Sequence, residues 1–75
     1  MSILFFAVNT EQNGSGRAAV CTDPNDVVST TIWSHTVTDR DIEQGKIGIL
    51  KVCEIAYSAL KAGKTPQEAS EEAGV

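Results

Sequence analysis

The sequence predicts an α+β fold: a three-stranded antiparallel β-meander packed by one long α-helix, plus a short C-terminal helix, in a single small domain spanning residues 1–75. Three observations carry this expectation. Extended runs at Ile3–Thr10, Arg17–Thr22 and Val27–Val37 are separated only by turn residues, and strands joined that tightly pair antiparallel. The stretch Asp39–Gly63, DRDIEQGKIGILKVCEIAYSALKAG, has helical periodicity. Thr65-Pro66-Gln67-Glu68 is a capping box with proline at the first helical position, which starts a new helix.

The first run is apolar on both faces. Ile3, Phe5 and Ala7 point one way and Leu4, Phe6 and Val8 the other, the pattern of a central strand covered on both sides. Asn13-Gly14 is a hairpin signal, because both residues tolerate positive φ. Arg17–Thr22 returns as the second strand. Asp23-Pro24-Asn25-Asp26 is a turn with proline presetting φ at its second position. In the third run Trp33, His35 and Val37 share a face, and the mixed polarity reads as a half-wet outer strand. Thr38 or Asp39 caps the long helix. Asp39, Asp41 and Glu43 complement its dipole, and Gly63 terminates it.

That helix carries two apolar faces. Ile42, Ile49, Cys53, Tyr57 and Leu60 form a face of large residues, with Leu50 at its edge, placed on the sheet. Gly45, Gly48, Val52, Ala56 and Ala59 form a second face of small residues. Glycine inside a helix costs about 1 kcal/mol relative to alanine, so two of them one turn apart imply a packing reason. The expected reason is close approach of a symmetry mate, or of the protein's partner; the first makes the chain a homodimer with those five residues at its interface. The competing reason is close approach of the helix to its own strands. A chain of 75 residues is near the lower limit for a self-sufficient core, which favours association.

Composition excludes several classes. The net charge is −4, and the six basic residues are scattered singly, so a duplex-binding surface is not expected. The apolar stretch Met1–Val8 lacks a basic n-region and is too short to cross a bilayer, which leaves the cytoplasm as the expected location and no membrane partner. Cys21 and Cys53 form no CxxC, and no metal quartet is present, so no metal and no cofactor is expected. Both thiols read as small buried hydrophobes. Asn13-Gly14-Ser15-Gly16-Arg17 joins two strands, whereas phosphate loops run into a helix. His35 is the only histidine, a residue type suited to general acid–base work, but a general base needs a nucleophile and an orienting acid. It reads as a half-buried strand residue, and no catalytic residue is assigned.

The order strand, glycine-rich hairpin, strand, strand, helix resembles the first half of the ribonuclease H-like fold. Gly14-Ser15-Gly16-Arg17-Ala18-Ala19-Val20 is similar to that family's glycine-rich approach to its second strand. Gly48-Ile49-Leu50 and Glu54-Ile55-Ala56 resemble the apolar pattern of its first helix. The resemblance implies two-metal phosphodiester hydrolysis by converging carboxylates. The family's first-strand aspartate falls near Asn9 here and its helix glutamate near Gly45, so the resemblance implies a catalytically inert fragment.

The expectation for function is a small protein-binding or regulatory accessory protein of the kind bacteria and their phages carry, an inhibitor or adaptor of a host protein. Trp33 and His35 on the third strand, and the free edges of the sheet, are its expected contact points. The alternative is a small enzyme or ligand-binding protein with a site between subunits, lined by His35, Cys21 and nearby acids.

Overall fold

The computed structural model describes residues 3–75. Met1 and Ser2, which begin the apolar stretch Met1–Val8, lie outside the described residues. The α+β architecture is present: β1 (Phe5–Thr10), β2 (Gly16–Cys21), α1 (Val27–Thr30), β3 (Thr31–Val37), α2 (Asp39–Glu43), α3 (Ile49–Lys61) and α4 (Pro66–Glu72) follow one another along the chain. The three strands form an antiparallel meander in the order β1-β2-β3.

The strand order corrects one expectation. β1 is an edge strand and β2 is central. The hairpin that joins them runs from Thr10 opposite Gly16 to Phe5 opposite Cys21. Its loop is wider than a two-residue turn. The Glu11 N–H donates to the Ser15 carbonyl at 2.8 Å and the Gly14 N–H to the Glu11 carbonyl at 3.1 Å. Asn13 Oδ1 accepts from both the Ser15 N–H at 3.0 Å and the Ser15 hydroxyl at 2.7 Å, which tightens the loop.

Val27–Thr30 is a helical turn rather than the start of the third strand. The branched residues Val27 and Val28 favour extended backbone, but Asp26 wins locally by accepting from the Ser29 N–H at 3.3 Å, as a helix cap does. β3 therefore begins at Thr31. Between Val20 and Cys21 the register slips: Val20 faces Trp33 and Cys21 faces Thr31, which leaves Ile32 as a bulged residue. Bulges re-aim side chains, and this one turns Ile32 toward the base of the sheet.

The long helix expected over Asp39–Gly63 is two helices. Gly45 has φ +82°, a conformation that L side chains rarely adopt, and it ends α2. Gly48 is the N-cap of α3. A Cβ on Gly48 would lie 3.1 Å from the Gly14 carbonyl oxygen, and that same oxygen accepts from the Ile49 N–H at 2.8 Å. The glycines thus make a break that lets the β1–β2 loop dock on the start of α3. They lie on no helix face.

α3 packs across β1 and β2, and α4 packs against α3. Ile49 and Cys53 of the large-residue face are buried as expected, with Leu60 nearly so. Val52, Ala56 and Ala59 are buried as well, in one cluster with Val20, Trp33 and Val37 of the sheet and Ala69 and Ala73 at the end of the chain. α4 supplies the cover that a second subunit was expected to supply. The five residues named for a subunit interface are therefore spent inside the chain or in the α2–α3 break.

Two reciprocal caps hold the ends of α2 and α4. The Thr38 hydroxyl accepts from the Asp41 N–H while the Asp41 carboxylate accepts from the Thr38 N–H, and Thr65 and Glu68 repeat the arrangement. The backbone N–H at each cap, followed by the threonine hydroxyl, holds the Asp41 and Glu68 carboxyls below their ordinary range. Groups with depressed folded-state pKa stabilise above their unfolded pKa, and that contribution is lost as pH falls through the folded value. The urea midpoint is therefore expected to drop as pH falls from about 7 to about 3, through the carboxylate range. The double variant Asp41→Asn with Glu68→Gln should show a flatter profile, and an equally steep one would contradict the assignment.

Candidate functional site

Exposed apolar side chains gather at the β1 side and the base of the sheet. Tyr57, half-buried on α3, donates from its hydroxyl to the Leu4 carbonyl at 2.8 Å. Its ring meets Phe6 edge-on at 5.0 Å, and Lys61 Nζ lies 5.4 Å from its centroid. Aromatic edge contacts and a cation over a ring both favour a fixed Tyr57. Tyr57 thereby forms one wall of a groove of about 670 Å³ with Ile3, Leu4, Ile32 and Leu60, rimmed by Lys61 and Lys64. Ile3 is 72% exposed and Ile32 39%. The bulge in β3 brings Ile32 to this groove, and no strand-alternation signal in the sequence marks it.

The residues expected to meet a partner on the third strand divide. Trp33 is only 5% exposed and donates from Nε1 to the Ser70 hydroxyl at 2.9 Å. It is a core residue that ties β3 to α4, which corrects its assignment as a partner contact. A large ring whose N–H has an internal partner is well placed in a core. His35 is half-buried beside it, with ring centroids 6.3 Å apart. It lines a cleft of about 480 Å³ with Val37, Asp41, Lys46, Ile47 and Ala73. Asp41 and Lys46 form an ion pair there at 3.6 Å. Among the described residues no carboxylate or thiol is hydrogen-bonded to His35.

Cys21 and Cys53 are free and buried, and burial pushes the Cys53 thiol up, away from the thiolate that nucleophilic chemistry needs. No cluster of three or more metal-ligating side chains occurs among the described residues. Asp39 on α2 accepts from the Asn13 amide at 2.8 Å, and this hydrogen bond holds its carboxyl below the ordinary range. That contact joins the hairpin loop to α2, so Asn13 and Asp39 are engaged in holding the fold. Asn9 and Gly45, the positions where the ribonuclease H-like resemblance puts its carboxylates, lie on an exposed edge strand and in the α2–α3 break. No described helix is long and apolar enough to cross a membrane.

Comparison of the chain with protein families, with curated proteins and with solved structures finds no match.

Proposed function

We propose that this chain is a small protein-binding accessory protein whose partner inserts an apolar segment into the groove at the base of the sheet. The observation that supports this reading most is the groove itself. It collects three exposed or half-exposed aliphatic side chains, Ile3, Leu4 and Ile32, around the hydrogen-bonded Tyr57. Exposed apolar surface that is gathered together marks interaction sites, whereas scattered single residues do not. Lys61 and Lys64 stand at the rim of an otherwise acidic protein of net charge −4. Lys64 is paired with Glu72 at 2.7 Å, and Lys61 carries no ion pair among the described residues. The rim thus favours a carboxylate beside the apolar segment, since rim charges steer and select partners. An inhibitor or adaptor of a host protein is the form of action this surface suits.

A peptide-display selection against the whole chain tests the reading. Selected sequences are expected to share an apolar run next to Asp or Glu. Ile32→Lys should weaken their binding at least about tenfold, the loss of one buried contact at such a surface. No enrichment, or enrichment that Ile32→Lys leaves unchanged, would contradict the groove as the docking site.

A further inference from the structure

We propose that the free edge of β1 pairs antiparallel with β1 of a second copy of this chain, which joins two three-stranded sheets into one of six strands. Phe5–Thr10, FFAVNT, is apolar on both faces through Val8, yet it lies at the edge of the sheet with Phe5, Phe6 and Ala7 exposed. Pairing with its own copy sets a neighbouring strand beside these side chains and shelters part of them.

The edge also lacks the devices that keep edges apart. Native edges are blunted by lysine, proline, bulges or a covering element. FFAVNT contains no charged residue and no proline, and the β1–β2 register is unbroken from Phe5 to Thr10. The opposite edge differs, since β3 is interrupted by the bulge at Ile32. The absence of charge suits a second copy in particular. Two-fold pairing sets a strand against itself, so a charge near the middle would meet its own image. An uncharged strand escapes that repulsion.

The side chains fit the same operator. A two-fold axis normal to the sheet keeps like faces together only when one residue lies opposite itself. With Ala7 on the axis, Phe6 meets the partner's Val8 on the helix side, and Phe5 meets the partner's Asn9 on the other. With Phe6 on the axis, the two Phe6 rings meet. Phe6 is 58% exposed and Phe5 36%, so each copy offers nearly one whole ring, roughly 150–250 Å². With the backbone edge and the exposed Ala7, this is less than the ~800 Å² per partner of a standard interface. The area matches a reversible dimer that forms in the micromolar range rather than an obligate one.

Light scattering on the whole chain at about 100 μM, well above a micromolar dissociation constant, tests the proposal. The wild type should have twice the single-chain mass of 8.0 kDa. Position 7 lies on the axis or next to it in either register, and Ala7 is exposed on the face away from α3. Ala7→Lys and Ala7→Glu should each fall to 8.0 kDa with an unchanged circular-dichroism spectrum, and an equal mixture of the two should regain the doubled mass. A wild type of single-chain mass at that concentration overturns the proposal, as does a doubled mass that both variants retain. Neither readout depends on what the basal groove binds.

Discussion

Replacing Gly16 with alanine is expected to remove about 3 kcal/mol or more of folding free energy. Gly16 opens β2 at φ +146°, where a residue with a side chain is strained by about 1–3 kcal/mol. A Cβ there would overlap the Asn9 carbonyl oxygen and lie 2.8 Å from the Thr10 Cα. Both obstacles are backbone of the paired strand, so no rotamer change relieves them, and overpacking adds to the strain. A domain of this length has a total stability of roughly 4–11 kcal/mol, from the usual per-residue range. The variant should therefore lose a large part of its cooperative unfolding transition in urea, followed by far-ultraviolet circular dichroism. A loss below about 1 kcal/mol, less than the backbone strain alone should cost, would show that the hairpin is not closed as described.

The second large effect is expected at Trp33, where alanine should cost about 3–5 kcal/mol, the range for truncating a buried aromatic. Trp33 lies in the core with Val20 and Val37 of the sheet and with Ala69 and Ala73. Its indole N–H also finds the Ser70 hydroxyl. The two contributions separate experimentally. Ser70→Ala leaves the ring in place and removes only the hydrogen bond, for which about 1 kcal/mol is expected. If Trp33→Ala cost no more than Ser70→Ala, the ring would not be packing α4 onto the sheet, and the cover for the second face of α3 would be in doubt.

Much of this fold is legible because its signals are local. Thr65-Pro66-Gln67-Glu68 carries its own instructions, and both of its reciprocal hydrogen bonds are present. The Asp23–Asp26 turn closes as read, with the Asp26 N–H donating to the Asp23 carbonyl. The large-residue face of α3 is buried at Ile49, Cys53 and Leu60 because helical spacing alone decides which residues share a side. What was hidden depends on segments distant in sequence. Ile42 and Ile49 keep helical spacing across the break, so periodicity runs straight through Gly45–Gly48. Only the docking of Gly14 on Gly48 explains it. Likewise, the two-sided apolar pattern of β1 cannot reveal which strand takes the middle of the sheet.

The surface followed the same logic. The small-residue stripe Val52, Ala56 and Ala59 reads as unsheltered because so short a chain has little left to cover a second face, yet Ala69 of α4 and Ala73 just beyond it join the stripe in one buried cluster. Ile32 reaches the groove through a bulge, which depends on how two strands slip and leaves no mark in either one. The place of Trp33 on an outer strand suggests a contact residue. α4 covers that part of β3, and Ser70 receives the indole N–H.

A nitrogen–proton correlation spectrum of the wild type, recorded from about 1 mM down to about 1 μM to span the dissociation range of a weak dimer, locates the surface through which two copies meet. Amide shifts are expected to change with concentration along Phe5–Thr10, while those of Val52, Ala56 and Ala59 stay constant. Changes centred on those three helix positions, with β1 silent, would contradict pairing through β1.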